Sequence, residues 1–488
     1  MASRDTHRPN IILIMTDDQG SWALGSSGNT EITTPSLDRL ASQGIRFENF
    51  FCTSPVCSPA RASMLTGQIP SQHGIHDWIR CGNSDIEKDC PVPRIEYLKG
   101  STGYTDVLAK NGYICGFSGK WHMGDAHTPQ KGFAFWETHA KGGGPYYNAP
   151  MIHKGGVYRE PRYVTDAITD RAIEFLNEQE DDNEPFYLSV HYTAPHSPWD
   201  RDNHPKDVYD RYYHDCAFSS VPYGLVPAGW VEGVSIPVED METRRKHLSG
   251  YYAAIEEMDR NVSRILDWLQ DTRLTEHTLV VFTGDNGMNM GHHGVYGKGN
   301  ATYPLNMYEE SVKVPFIVSC PGRVPEGIVC SELLSQYDFR PTILEYLNCG
   351  DADTEPLPGK SFAPLLTGDR IRGNDRVVVF DEYGPVRMIR TREWKYIHRY
   401  LNGPCELYNL SLDPGEENNL IQNEAHVKQA ERMKKELEEW FAEFAVPDLD
   451  VTHTDVDGGG QIHSLRECGN DAAFFKNQNW SLPLRSRQ

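Results

Sequence analysis

Two short clusters of oxygen-bearing side chains, Asp17-Asp18 and Asp285-Asn286, stand far apart in the chain. Brought together they form an all-oxygen set, free of Cys or His, that suits a hard cation such as Ca²⁺ or Mg²⁺. Three converging carboxylates repel one another, so the set is expected to need a cation. A divalent ion there polarises an oxygen of an anionic ester and lowers the pKa of a coordinated hydroxyl. Lys120 and Lys298 offer positive charge to the ester's other oxygens, and Arg61 can offset the charge of the metal site. His122 and His196 can move protons near neutral pH. Cys57 precedes Pro59 and the helical run Ala60 to Leu65, which puts it at a helix N-terminus. That position is expected to lower a thiol's pKa and to favour anions nearby. Arg61 lies one helical turn on and faces the same side.

Four segments share the arrangement that would deliver these groups. Asn10 to Met15 is an apolar run without period, as expected of a strand buried on both faces, and it runs into Thr16-Asp17-Asp18-Gln19-Gly20. Thr278 to Phe282 ends in Thr283-Gly284-Asp285-Asn286-Gly287, Gly112 to Phe117 in Gly119-Lys120-Trp121-His122, and Phe186 to Tyr192 in Ala194-Pro195-His196. Between them lie helical patterns. Thr34 caps one with Pro35 at its first position and Gly44 past its end, and Tyr163 to Glu178 and Tyr251 to Leu269 are two more. Strands alternating with helices predict an α/β fold with a mostly parallel sheet covered on both faces. Ligands bind such sheets beyond the carboxyl ends of the strands, where all four polar clusters fall.

The chain has 488 residues, enough for a large core and more than one domain. A net charge of −22 argues against nucleic acid and against a long polyanion on the surface, while leaving room for a small anion in a local cationic pocket. Ile11 to Met15 is too short to span a membrane or to serve as a signal peptide. A cytoplasmic protein is therefore expected, or a periplasmic one if a leader has been removed. The eleven cysteines show no metal-ligand spacing. Cys81 and Cys90 flank a polar loop and could pair, but reduced thiols are expected throughout.

Taken together and in order, Thr16-Asp17-Asp18-Gln19, Cys57-Ser58-Pro59-Ala60-Arg61, Leu65-Thr66-Gly67, Gly119-Lys120-Trp121-His122, Ala194-Pro195-His196, Thr283-Gly284-Asp285-Asn286-Gly287 and Gly297-Lys298 resemble the formylglycine-dependent (type I) sulfatases of the alkaline phosphatase superfamily. The resemblance covers most of the chain. It implies a large mixed sheet sandwiched by helices, followed by a smaller C-terminal antiparallel sheet with a helix. It implies Ca²⁺, or Mg²⁺, on Asp17, Asp18, Asp285 and Asn286, with modified Cys57 as a further ligand. A formylglycine-generating maturation enzyme would oxidise Cys57 to 3-oxoalanine (formylglycine), which hydrates to a geminal diol. Arg61 and Lys120 would hold the diol, and Lys120, His196 and Lys298 the sulfate. The implied reaction of this sulfuric ester hydrolase has two steps. One hydroxyl attacks sulfur to form a covalent sulfo-enzyme while the alcohol leaves with a proton from His196 or Lys298. The second hydroxyl then loses its proton to His122 and expels sulfate, a step a thiol cannot complete.

The same family layout puts a boundary near Gly368 to Asn374, giving a catalytic unit of residues 1–370 and a C-terminal unit of 371–488. In the second unit Arg376 to Asp381, Val386 to Arg392, Trp394 to Tyr400 and Glu406 to Leu410 read as strands, and Ala425 to Phe441 as an amphipathic helix. The tail Val446 to Gln488 matches no pattern and is expected to pack over the surface; the sharper expectation is that it reaches the pocket mouth or another subunit. A homo-oligomer is allowed.

The loops His76 to Arg80, Lys141 to Asn148, Trp199 to Arg201 and Met288 to His293 are the expected outer pocket, with Trp78, Arg80 and His293 as substrate-binding candidates. Aromatic rings beside charged and amide groups suit a sugar, so a small sulfated mono- or oligosaccharide is the expected substrate. The alternatives are an aryl sulfate or a phosphonate or phosphate diester on the same fold. A metal-binding pseudo-sulfatase would lack a nucleophile, a ligand or a sulfate-binding lysine, and none is missing here.

Overall fold

The computed structural model describes residues 8–87, 90, 92–180, 184–238, 240–350, 356–369, 372–380, 385–454 and 458–475. Asp381, residues 370–371 of the expected boundary, and residues 455–457 and 476–488 of the tail lie outside them.

Four parallel strands form the centre: β1 (Asn10–Thr16), β2 (Ile114–Lys120), β3 (Phe186–His191) and β4 (Thr278–Gly284), side by side in the order β4-β1-β3-β2. Their register brings the carboxyl ends level. Met15 stands opposite both Thr283 and His191, and His191 opposite Gly119. The continuous apolar runs are explained by burial on both faces. Ile12, Ile14, Leu188, Val190, Val280 and Phe282 point to one side, and Ile11, Leu13, Met15, Leu279 and Val281 to the other. Each such side chain contributes about 1.5–3 kcal/mol on full burial.

Beside β4 lie Lys313–Ser319 and then Gly44–Phe51, each antiparallel to its neighbour. Beside β2 lie the parallel strand Phe135–His139 and the hairpin Ala149–His153/Gly156–Glu160. The sheet is therefore mixed. Helix α1 (Cys57–Thr66) packs on one face, and α2 (Val164–Gln179) and α3 (Met241–Asp271) on the other. Helix α3 starts well before the expected Tyr251. The Asp240 side chain caps it by accepting from the Thr243 amide at 2.7 Å, and buried Arg244 and Leu248 continue its inward stripe.

A four-stranded antiparallel sheet follows, in sequence order: Arg376–Phe380, Val386–Thr391, Trp394–Arg399 and Glu406–Asn409. Helix α4 (Val427–Phe444) sets Met433, Leu437 and Phe441 against Val378, Ile389, Tyr396 and Leu407 on one face of it. The other face (Val377, Val379, Met388, Ile397, Tyr408) joins the apolar cluster that contains Ile11 and Leu13.

Cys81 and Cys90 are disulfide-bonded, contrary to the expectation of reduced thiols throughout; their Cα atoms stand 5.3 Å apart, within bridging reach. The other nine cysteines form no disulfide. Among the described residues no helix is long and apolar enough to cross a membrane.

Candidate active site

The level strand ends gather the polar clusters into one buried constellation. Asp17 and Asp18 follow β1. The Asp17 amide donates to Ala194 O at 3.0 Å. Asp18 adopts the left-handed conformation (φ 65°), which Asp tolerates better than most residues, and its amide donates to Asp285 Oδ1 at 3.1 Å. Tyr251 on α3 braces this turn. Its hydroxyl donates to Asp18 O (2.9 Å) and accepts from the Gly20 amide (3.0 Å). Arg61 on α1 places Nε and Nη2 each 2.9 Å from Asp285 Oδ2 and gives Nη1 to Lys120 O at 2.9 Å. Lys120 Nζ, at the end of β2, lies 2.5 Å from Asp17 Oδ2. Lys298 Nζ lies 2.5 Å from Asp18 Oδ1 and 2.9 Å from Cys57 Sγ, and Cys57 Sγ lies 3.2 Å from Asp17 Oδ1.

Each acid thus holds a cationic side chain, and these pairs offset part of the mutual repulsion expected from sequence. For Asp18 burial alone favours the neutral acid, but Lys298 and His196 outweigh it and hold the carboxyl below its ordinary range. Burial is likewise overcome at Asp285, chiefly by Arg61 and Lys120. At Asp17 burial wins, and its pKa rises. The Cys57 thiol is pushed up to about 12 by burial and then by Asp17. This reverses the lowering expected from the helix N-terminus: desolvation of a thiolate at full burial exceeds the partial charge of a helix end. An unmodified Cys57 is therefore a neutral thiol at physiological pH.

The donor set fits a hard divalent cation. Asp17, Asp285 and Cys57 offer ligand atoms within 4.8 Å of one another. The buried Asn286 amide gives its Nδ2 to Asp18 Oδ1 and Gly287 O, both at 2.9 Å, and its Oδ1 is left without a hydrogen-bond partner. An orphaned amide oxygen among carboxylates is a ligand arrangement for Ca²⁺ or Mg²⁺.

A cavity of about 560 Å³ opens onto Cys57, His122, His196 and Lys298, with Trp78, Arg80 and the loop from Lys141 to Gly143 among its walls. His122 Nε2 donates to Ile79 O at 3.0 Å, which leaves Nδ1 as the unprotonated nitrogen, and Nδ1 has no partner. Burial, then Lys120, hold the ring's pKa well below its ordinary 6.5. His196 Nδ1 donates to Ser197 O at 2.7 Å, and its Nε2 lies 3.7 Å from Asp18 Oδ2. Two expected wall elements lie elsewhere. His293 turns away to Glu310 (3.0 Å) and stacks on Tyr308 with ring centroids 3.7 Å apart. Trp199, Asp200 and Arg201 line a different cavity of about 840 Å³ that holds none of the charged cluster. Aromatic and charged content marked these loops; which way each turns depends on contacts with distant residues.

The glycine at 142 has a positional reason. A Cβ there would stand 2.1 Å from His122 Cε1 and Nε2, so the loop lies directly on that ring. Gly142→Ala is expected to displace His122 and lower kcat about 10- to 100-fold. Because residues 141–144 are only half-buried, the fold should tolerate it. Steady-state kinetics alongside thermal unfolding check this, and an unchanged kcat contradicts it.

The family model described as Sulfatase matches residues 9–349. The chain belongs to the sulfatase family. A second model, for the C-terminal part of N-sulphoglucosamine sulphohydrolase, matches residues 291–443 of this sulfatase. It is 27% identical to the N-acetylglucosamine-6-O-sulfatase of Bacteroides thetaiotaomicron, over 92% of this chain and 89% of that one. It is 28% identical to an ulvan-active sulfatase of Formosa agariphila, over 90% of this chain and 82% of that one. A protein solved in complex with its substrate D-glucosamine-2-N,6-O-disulfate shares the fold with a TM-score of 0.73 at 24% identity, over 91% of this chain and 99% of that one. The sulfatase is a sulfuric ester hydrolase.

Proposed function

We propose that this sulfatase removes sulfate from a mono- or oligosaccharide and that its Cys57 is matured to formylglycine. The observation that carries the reading is the single cavity in which Cys57 and Lys298 meet two histidines beneath a wall of Trp78 and Arg80. An indole beside a guanidinium suits a sugar face and its hydroxyls. The names of the two similar enzymes, one for N-acetylglucosamine-6-O-sulfate and one for ulvan, support it.

Asp17, Asp18, Asp285 and Asn286 would hold the divalent cation, Ca²⁺ or Mg²⁺, which supplies Lewis acidity at a sulfate oxygen. Hydrated formylglycine supplies two hydroxyls, one to attack sulfur and one whose ionisation releases sulfate. The chain's own groups do the rest. Arg61, pinned by Asp285 and the Lys120 carbonyl, holds a fixed positive charge beside position 57. Lys120 and Lys298 keep ammonium protons for the sulfate oxygens beyond those engaged with Asp17 and Asp18. His196 has Nδ1 engaged with Ser197, so Nε2 is the atom that passes a proton to the leaving alcohol. His122, neutral and with Nδ1 open, takes the proton of the second hydroxyl. The Cys81–Cys90 bridge fits an oxidising compartment better than the cytoplasm.

A lowered imidazole pKa keeps His122 in its basic form to lower pH. The acid limb of the kcat–pH profile should therefore fall below the ordinary 6.5, and a limb at or above 6.5 contradicts His122 as the base. For substrate class, a panel of regiochemically defined sulfated sugars should yield at least one turned over faster than aryl sulfates. Turnover of aryl sulfates alone contradicts the carbohydrate reading.

A further inference from the structure

We propose that the substrate carries a second anionic group, a sulfate or a carboxylate, bound at the pocket rim by Arg80 and Lys141, and that the C-terminal tail positions Arg80 for it. The proposal rests on the carbohydrate sulfate reading above and extends it.

The site's cations divide into two kinds. Arg61, Lys120 and Lys298 are each paired with an aspartate. Arg80 and Lys141 line the same cavity, and among the described residues neither forms a close ion pair, although Lys141 stands near enough to Glu87 to act on its carboxyl. Glu87, the acid on that wall, is taken up locally by the Asn83 amide (3.0 Å) and Asn83 Nδ2 (2.9 Å). In a chain of net charge −22, two cations without a close ion pair on a substrate-facing wall, Arg80 above all, form a local anion trap. The monoanionic sulfate ester is already provided for by the deeper lysines, so the rim charge is available to a second anion.

Arg80 is held for this purpose by a segment almost four hundred residues away in sequence. Its Nη1 donates to Gly459 O at 3.2 Å, and its guanidinium lies 4.0 Å from the centre of the Phe475 ring. Nε and Nη2 are left without a partner among the described residues, a fork open to an oxyanion. Around it the tail pairs with residues 78–81 like an added strand. The Arg80 amide donates to Gln461 O at 2.9 Å, the Gln461 amide to Trp78 O at 2.8 Å, and Trp78 Nε1 to Gly458 O at 3.1 Å. Gly460 makes the close approach possible: φ is +100°, and a Cβ would stand 2.8 Å from Arg80 Cβ and 2.9 Å from Trp78 Cε2. A guanidinium ordered before binding loses little entropy when the anion arrives. The described part of the tail thus packs against residues 78–81, behind the wall that Trp78 and Arg80 present, and none of its described residues lines the cavity itself.

The test compares kcat/KM for pairs of substrates that differ by one anion: sulfated sugars with and without a second sulfate or a uronate carboxylate. In the wild type the second anion should raise kcat/KM at least about tenfold, through KM. Arg80→Ala and Arg80→Gln should bring that ratio near unity, and Lys141→Ala should lower it. Phe475→Ala should lower it partway and Phe475→Tyr restore it, which a merely structural role for the ring would not do. A wild-type ratio at or below unity, or the same ratio in wild type and both Arg80 variants, overturns the proposal. If aryl sulfates turn over and no sugar does, it is the carbohydrate reading that fails. The ratio is then taken between phenyl sulfate and its carboxylated analogue, and a ratio unaffected by Arg80→Ala overturns the anion site independently.

Discussion

Cys57→Ala should lower kcat by at least about 10⁴-fold on every sulfate ester the wild type accepts. The side chain lies at the meeting point of Asp17, Asp18 and Lys298, and no other free cysteine lines the cavity among the described residues. Alanine lacks the thiol that maturation would exchange for the aldehyde and its hydrate's hydroxyls, so only binding and electrostatics would remain. The fold should hold. Cys57 faces a charged cavity floor rather than an apolar core, so alanine creates little cavity and spares the thiol its contact with Asp17. Thermal unfolding within a few degrees of wild type, together with lost turnover, is the expected pair of results. Retention of kcat within tenfold contradicts the role.

Asp285→Asn should be the second severe lesion, and for a different reason. The carboxylate accepts from Arg61 Nε, with Nη2 in ion-pair contact at 2.9 Å, and from the Asp18 and Asn286 amides, and it is one of the oxygens proposed to hold the cation. An isosteric amide keeps the shape but removes the charge. Arg61 is then buried with only the more distant Asp17, 4.0 Å away, as counter-charge, which should cost about 3–5 kcal/mol of stability. Bound divalent metal, measured by elemental analysis against protein concentration, should fall well below one per chain, and kcat by about 10³-fold or more. Full metal content with lost activity would place Asp285 in orientation only. Full metal content with full activity contradicts its place in the site.

Much of this was legible before any coordinates. Parallel strands buried on both faces read as unbroken apolar runs, and each run stopped where a polar cluster began. Asp17, Lys120, His196 and Asp285 could therefore be placed at one sheet edge from four local patterns. What escaped depends on contacts between remote residues. Nothing near Gln461 or Phe475 announces a partner at Trp78 or Arg80, because that pairing is made by backbone amides and a ring face. His293 looks like a pocket histidine until Glu310 and Tyr308 are seen to hold it. Helix position, which favours a lowered Cys57 pKa, is local and readable in sequence, whereas burial by the whole constellation, which raises it, is not. The start of α3 is hidden in sequence because its first inward residue is an arginine, Arg244, which spends its Nη2 on the Phe218 and Val221 carbonyls.

Mass spectrometry of the peptide containing Cys57, taken from a preparation of known specific activity, tests the nucleophile most directly. The aldehyde or its hydrate should be present at residue 57, and its fraction should rise in proportion to kcat across preparations of differing maturation. Fully active protein carrying only the thiol at residue 57 would contradict it.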